Sequence, residues 1–183
     1  MVCVSKDKRK EKYKKHVAQS NVPIKMTNKL DSYTLLGWRE WLSLPDIGIP
    51  AIKAKIDTGA KTSALHAFEV EEFKEKGIDM VRFQMHPLQK RTDIIIYCQA
   101  PIADQRLVSD SGGHREMRYV IKTNIMVGSI KTWAEITLTD RDSMQFRMLL
   151  GRSAMAGKFA VDPKGSYLAG PKPQNIYNVG EKK

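Results

Sequence analysis

The chain has 183 residues, of which 42% are hydrophobic, so it is long enough to form one domain with a buried core. Its formal net charge is +11, and its two cysteines, Cys3 and Cys98, are too few for a disulfide framework. No apolar run approaches the ~20 residues of a membrane-spanning helix, and the basic N-terminus lacks the apolar segment of a secretory signal. We therefore expect a cytoplasmic protein with reduced thiols and no membrane contact.

The positive charge is concentrated near the N-terminus. Residues 1–32 hold nine Lys or Arg against three Asp or Glu, a net of +6, whereas the rest of the chain has 22 against 17, a net of +5. This composition predicts a disordered basic arm over 1–32, a folded domain over 33–170 and a polar tail over 171–183. Nucleic-acid binding by the arm is the alternative. We favour a solvated arm and expect no nucleic-acid partner, because neither aromatic interleaving nor a known motif supports one.

Between the arm and the tail, short apolar segments are separated by turn residues. Residues 33–44 predict a strand or a pair of strands bent at Gly37, and further strands are predicted, in chain order, over 51–56, 63–70, 81–85, 94–98, 102–108, 117–127 and 130–138. The segments 148–150, 159–161 and 167–169 follow and close the domain. The charged run 71–76 predicts one helical turn, and a short helix is predicted over 153–156, ended by Gly157. The polar segment 109–114 lies between two strand patterns and predicts a hairpin tip. Many short strands with almost no helix predict an all-β barrel or sandwich.

One of these strands ends in a carboxylate followed by a glycine turn. Residues 52–56 alternate apolar and polar side chains, as in a half-buried strand, and Asp57-Thr58-Gly59 follows directly. Gly59 permits a tight turn and close backbone approach. A strand that ends in this way holds the Asp57 carboxylate rigidly. Taken alone, the motif also fits a simple Asp-capped turn.

With the Ala60 that follows, this segment resembles the Asp-Thr-Gly-Ala motif of retropepsin-like aspartic proteases. A second segment strengthens the resemblance, because retropepsins carry a hydrophobic-hydrophobic-Gly-Arg run just before a short helix. The matching residues here are Leu149, Leu150, Gly151 and Arg152. The two segments in this order are much more specific than the first motif alone.

The resemblance also extends to a narrower family. Residues 57–67, 149–152 and 159–163 resemble the bacterial family named ATP-dependent zinc proteases, which is related to retropepsins. The similarity covers about residues 35–168. It implies a small closed acid-protease barrel, all-β, with one short helix near the C-terminal part.

The resemblance implies an aspartic peptidase in which Asp57 is catalytic and Thr58 and Gly59 brace it. Leu150, Gly151 and Arg152 would support the site. The substrate would contact a flap, formed by the hairpin tip, and the adjoining pocket, through Ala60, Lys61, His66, Gly112, Gly113, Arg115 and Arg118.

Hydrolysis by carboxylates needs two acids that share one proton, so a second acid must be supplied. Asp110-Ser111-Gly112 spells the alternative Asp-Ser-Gly form, but its neighbours are those of a hairpin tip and not of a catalytic strand. We therefore expect a homodimer in which each subunit donates Asp57 at the two-fold axis.

The sequence departs from the retropepsin pattern at one point. Retropepsins usually carry another acid shortly after the motif, and that acid pairs with the late arginine. Lys61, Thr62 and Ser63 stand in this region. Arg152 therefore needs a different partner.

Cations surround the motif and suggest the substrate class. Alternation places Lys53 and Lys55 on the same side of the strand as Asp57, where they would favour ionised carboxylates. We therefore hypothesise that the substrate is a peptide or protein with acidic, Glu-rich character. The side chains that would select it are Lys61, His66, Arg115 and Arg118. The resemblance adds a functional link to ATP-grasp glutamate ligases of the RimK type. The alternative is that these cations only solvate the surface.

Metal and cofactor motifs are missing from the sequence. It contains no His-Glu-x-x-His, no Cys-x-x-Cys and no phosphate-binding loop, and its four histidines are scattered. We expect no metal and no cofactor. Two other functions remain open: a non-catalytic β-barrel that binds acidic peptides or nucleic acid, and a metal-dependent hydrolase that uses Asp57 and His66, as the family name suggests.

Overall fold

The computed structural model describes residues 32–109, 113, 115–140, 145–171 and 176–177. Contacts divide the chain into two units, 1–32 and 33–183. The predicted basic arm lies outside the described residues except for Ser32, and so does most of the predicted C-terminal tail.

Strands make up most of the described part of the second unit. They are β1 (Thr34–Leu36), β2 (Arg39–Leu44), β3 (Ile49–Asp57), β4 (Ser63–His66), β5 (Phe68–Glu75), β6 (Ile78–Met85), β7 (Ile96–Ser109), β8 (Arg115–Val127), β9 (Ile130–Thr139), β10 (Met148–Gly151) and β11 (Phe159–Val161). A 3-10 turn, Pro45–Ile47, follows β2, and the helix α1, Arg152–Met155, follows β10. Within the described segments, no helix is long and apolar enough to cross a membrane.

Nine strands form one sheet in the order β2-β3-β10-β4-β9-β8-β7-β6-β5, and β1 pairs with β11 in a separate parallel sheet. A short pairing of Leu42 with Val127 and of Ser43 with Met126 brings β2 back to β8, so the sheet curls. The all-β class is therefore confirmed. The closed barrel is not, because β7 pairs onward with β6, and β6 with β5, which leaves the sheet open at β5.

The burial pattern of β3, the strand that ends in Asp57, follows its sequence alternation. Ile52, Ala54 and Ile56 of β3 are buried, whereas Lys53 is half-buried and Lys55 is exposed. Neighbouring strands bury large side chains completely against them, namely Leu65, Ile121, Ile125, Ile136, Met148 and Leu150. Burial of each such side chain contributes about 1.5–3 kcal/mol, so the inner face of β3 fixes the position of its last residue.

Two local predictions need correction. The charged run 71–76 is not a helical turn, because most of it lies in β5 and pairs with β6. The hairpin turns at Lys76 and Gly77, both of which have positive φ. The predicted helix over 153–156 exists but begins one residue earlier, at Arg152.

A buried carboxylate fastens the start of β2 to the C-terminal part of the domain. Glu40 is fully buried, and its side chain accepts hydrogen bonds from the backbone N–H groups of Gly37 (2.6 Å), Leu168 (2.9 Å) and Ala169 (3.3 Å). This clamp holds the segment before β2 against β3, where the Ile56 N–H donates to the Trp38 carbonyl at 2.9 Å. Trp38 is thereby fixed beside the strand that ends in Asp57.

Candidate active site

Asp57 lies at the last position of β3, where the parallel partner strand β10 also ends. Its register partner is Gly151. The carboxylate is half-buried, and its Oδ1 accepts hydrogen bonds from the backbone N–H groups of Gly59 (3.0 Å) and Ala60 (3.1 Å). These two bonds fix the orientation of the side chain within an exposed turn at Thr58 and Gly59. The three residues of the predicted motif therefore form one rigid unit.

The turn after Asp57 is bonded to the start of α1. The backbone N–H groups of Arg152 and Ser153 donate to the carbonyls of Ala60 (2.9 Å) and Lys61 (3.1 Å). The Ser153 hydroxyl donates to the same Lys61 carbonyl at 2.7 Å. The two segments that the sequence singled out, about 90 residues apart, thus form a single site.

The close approach of β10 to the backbone of Thr62 requires a glycine at position 151. A Cβ at this position would lie 2.6 Å from the backbone carbon and 2.7 Å from the carbonyl oxygen of Thr62. The Gly151 N–H donates to the buried Ser63 hydroxyl at 3.1 Å. Ser63 was not among the predicted site residues. Its only signal in the sequence is a small polar residue at the start of an apolar segment.

Arg152 has a backbone partner in place of the missing acid. Its Nη1 donates to the Gly59 carbonyl at 2.8 Å, across the turn that carries Asp57. The guanidinium therefore braces the turn directly. Retropepsins usually pair this arginine with an acid in the region that Lys61, Thr62 and Ser63 occupy here. The Gly59 carbonyl is the partner of Arg152 instead.

An open cleft of about 460 Å³ adjoins the Asp57 turn. It is lined by Thr58, Lys61, Arg152, Ser153, Met155, Ala156, Phe159 and Val161. Its floor is mainly apolar, because Met155 and Phe159 belong to the core, and its rim carries two cations. Such a cleft suits an apolar group bordered by polar or acidic ones.

β7 and β8 form a long antiparallel hairpin on either side of the predicted tip. Its pairing continues to Ser109 and Arg115. Gly113 is exposed and has a φ of +81°, as a tip requires, whereas the predicted flap residue Gly112 lies outside the described residues. Arg115 is exposed, but Arg118 is buried, and its Nε donates to Glu116 at 2.8 Å. Arg115 is thus available to a ligand, whereas Arg118 is already paired.

His66 is not brought to the Asp57 turn. It is fully buried on β4, and its ring centroid lies 6.1 Å from that of Phe68. Its backbone N–H donates to the Arg147 carbonyl at 2.8 Å. Since Arg147 precedes Gly151 by four residues along the neighbouring strand, His66 lies about 13 Å from Asp57 along the strands. The pairing of Asp57 with His66 that a metal-dependent hydrolase would need is therefore not formed.

Other titratable groups do not add to this site. Within the described residues, no group of three or more His, Cys, Asp or Glu side chains is close enough to hold a metal ion. Cys98 is buried on β7, and burial raises the pKa of its thiol to about 12. The thiol is therefore neutral near pH 7 and is a poor nucleophile.

Comparison with known proteins places this geometry in a family. The RimB-like family, described as the retropepsin-like aspartic endopeptidase RimB, matches residues 35–172. A probable alpha-L-glutamate ligase of Shewanella pealeana is 44% identical over 142 residues, which cover 78% of this chain and 31% of that protein. A protein of the same name from Parasynechococcus marenigrum is 44% identical over 145 residues, covering 79% of this chain and 30% of that protein.

The chain thus spans only about 30% of the length of these curated relatives. Among solved structures, a Legionella pneumophila protein of unknown function matches with a TM-score of 0.61 and 27% identity. That match covers 74% of this chain and 98% of the other.

Proposed function

The chain belongs to the RimB-like family of retropepsin-like aspartic endopeptidases, and we propose that it hydrolyses peptide bonds with a water molecule activated by two Asp57 residues. One observation carries this proposal: the Asp57 carboxylate is held by two backbone N–H groups, in a turn that α1 and Arg152 lock in place. Such preorganisation of an acid at an accessible turn is what general acid–base catalysis needs.

The site requires a second subunit. Residues 57–63 and 151–156 form it, and Asp57 is their only acidic residue. A symmetric dimer would bring two Asp57 side chains together at the axis. We propose that the partner packs beside the exposed Thr58, where the apolar floor of the cleft suits contact with a second copy of this chain.

The reaction follows from a pair of carboxyl groups with one proton between them. The ionised carboxylate takes a proton from water, whose oxygen attacks the peptide carbon, while the protonated partner gives its proton to the carbonyl oxygen. The tetrahedral diol then loses its C–N bond as the first carboxyl group gives its proton to the departing amine. The other carboxylate takes a proton from one diol hydroxyl, which restores the singly protonated pair. Thr58, Gly59 and Arg152 hold the turn during these steps, and the β7–β8 hairpin acts as a flap that excludes water.

We further propose that the substrate is an acidic, Glu-rich peptide. The relatives are named glutamate ligases, and a ligase that adds glutamate would produce such chains. Lys61 and Arg115 are exposed cations on the turn and the hairpin, whereas His66 and Arg118 are buried. A peptidase acting on the product of a glutamate ligase would work in the same compartment, so we propose a cytoplasmic location and a functional link between the two.

Peptide-library cleavage across pH tests the catalytic proposal. Asp57→Asn should lower kcat/KM on the order of 10³-fold, because it removes the proton-transfer group from both subunits. Asp162→Asn is a matched control, since the Asp162 carboxylate also caps a turn by accepting the Lys164 N–H at 2.9 Å. The specific activity of the wild type should also rise with protein concentration through the range in which the dimer forms.

The same experiment separates the alternatives. Binding of acidic peptides without cleavage at any pH would indicate a binding module instead of a peptidase. Activity that is lost on chelation and restored by zinc would indicate a metal-dependent hydrolase. Equal activity of the wild type and Asp57→Asn would exclude the carboxylate mechanism.

A further inference from the structure

The outer face of β3 carries three polar side chains in succession. Lys53, Lys55 and Asp57 alternate with the buried residues of the strand, so all three lie on one face of the sheet. Residues two apart along a strand are separated by about 6.6 Å. Lys55 is the nearer of the two lysines to Asp57 and is exposed. A group bound at Asp57 therefore lies near Lys55.

Lys55 borders a cavity of about 230 Å³. Its walls are Trp38, Lys55, Gln145, Phe146 and Leu149. The Trp38 and Phe146 rings meet edge to face with centroids 5.6 Å apart. The volume is below the roughly 300–1,000 Å³ of whole-ligand pockets, so the cavity suits one side chain rather than an entire substrate.

The charge of Lys55 is not matched by a neighbouring acid. Its register partners on the two adjoining strands are Arg39 and Leu149, a cation and an apolar residue. In the part of the chain that the structure describes, no carboxylate lies within 4.0 Å of its ammonium group. Lys74, by contrast, pairs with Asp79 at 2.9 Å.

Lys53, on the same face, has aromatic partners instead. Its ammonium nitrogen lies 5.3 Å from the ring centroid of Trp41 and 5.7 Å from that of Tyr167, so its charge rests against two rings. The two lysines of one strand face are thus used differently. Lys55 faces a cavity, and Lys53 packs within the protein surface.

We propose that the Lys55 cavity is the subsite that receives an acidic side chain of the substrate, next to the bond that is cleaved. The carboxylate would bind the Lys55 ammonium group, and the methylene groups of a glutamate would pack between Trp38 and Leu149. This proposal rests on the proposed function. It assigns the selection of acidic peptide mainly to Lys55 rather than to Lys61 or Arg115, the exposed cations of the turn and the hairpin.

The test measures binding without hydrolysis. Full-length protein with Asp57→Asn is titrated with a fluorescent peptide that contains glutamate and with the same peptide containing glutamine in its place. The Glu peptide should bind more tightly, and adding Lys55→Met should weaken it about 10- to 100-fold, the range for a hydrogen bond to a charged group. Binding of the Gln peptide should change less than 3-fold.

Lys53→Met is the matched control, because it removes a cation from the same strand face without touching the cavity. It should leave the preference for Glu over Gln unchanged. Lys55→Glu should invert the preference and favour a peptide with lysine at that position. Equal losses for the Glu and Gln peptides, or an equal effect of Lys53→Met, would overturn the proposal.

Binding of an oligonucleotide of matched charge is the last measurement in this experiment. If it binds more tightly than the Glu peptide and depends on Lys55 to the same extent, the cavity recognises nucleic acid and the proposal is wrong. Because binding is measured with Asp57→Asn, a failure of peptide hydrolysis and a failure of the Lys55 subsite are observed in separate experiments.

Discussion

The carboxylates of Asp57 and Glu40 each accept hydrogen bonds from at least two backbone N–H groups, and they serve opposite purposes. Asp57 is half-buried, and its donors, Gly59 and Ala60, are two and three residues away. Glu40 is fully buried, and two of its three donors, Leu168 and Ala169, lie 128 and 129 residues away. Local donors orient a carboxylate and leave it accessible, whereas distant donors make it a cross-link of the fold.

Neutralising Asp57 has the largest expected effect and tests whether this carboxylate serves activity and not stability. Asp57→Asn should lower activity on the order of 10³-fold, while the free energy of unfolding changes by less than about 1 kcal/mol, since the donors are local and the turn is exposed. Activity assays and urea unfolding of the same preparation measure both quantities. A large loss of stability would mean that Asp57 is itself a structural carboxylate.

Glu40→Gln should give the reverse pattern. The amide keeps one acceptor but points an NH₂ group at backbone donors, so we expect a loss of about 2–4 kcal/mol in the free energy of unfolding. Urea or thermal unfolding checks this, and activity at low temperature should remain within a few-fold of wild type. A neutral effect on stability would show that the clamp between β2 and the Leu168 segment does not hold the fold together.

A third substitution, at Gly151, tests whether the Asp57 turn needs its close contact with β10. Gly151→Ala would place a Cβ against the Thr62 backbone, which cannot move aside as a flexible side chain would. We expect a loss of about 1–3 kcal/mol in stability together with a fall in activity, because the Asp57 turn is bonded to the same segment. Gly157→Ala is the control, because a Cβ at Gly157 would have no atom of the described residues within 4 Å, although the positive φ of Gly157 adds strain. Full activity in Gly151→Ala would show that the turn does not need this contact.

The two carboxylates also differ in how far the sequence predicts them. Asp57 stands at the end of an alternating strand and in a recognisable motif, so its position and its neighbour Gly151 could be predicted. Glu40 could not, because its partners are separated from it by most of the domain and no local pattern records the contact. The burial of His66 away from the site could not be predicted either, because it too depends on contacts that no local pattern records.

The β5–β6 hairpin shows a second limit of sequence patterns. After Val70, every residue of β5 except Phe73 is exposed, so this part of the strand has no apolar alternation, and its charged residues suggested a helical turn. Its pairing with β6 is accompanied by cross-strand contacts such as Arg82 with Glu71 at 2.8 Å. Cross-strand partners decide the structure here, and they are visible only once the register is known. The closed barrel, which the resemblance implied, fails at this same hairpin, because the sheet ends at β5.

A third carboxylate, Asp46, lies between the two extremes and gives the smallest expected effect. It is exposed, yet its Oδ2 accepts the Asn124 N–H and side-chain amide, both at 2.9 Å, and so ties the turn after β2 to β8. The hydrogen bonds from Asn124, aided by the charge of Lys131, lower the pKa of Asp46 below its ordinary value of 3.8.

Because the folded-state pKa of Asp46 is the lower one, the unfolded chain binds more protons near pH 4, and stability rises with pH there. The contribution of Asp46 is complete above the unfolded pKa and is lost as pH falls through the folded pKa. The stability difference between wild type and Asp46→Asn should therefore shrink between pH 6 and pH 3 in urea titrations. Since other acids titrate equally in both proteins, a difference that stays constant over this range would show that the Asn124 contacts do not depend on the charge of Asp46.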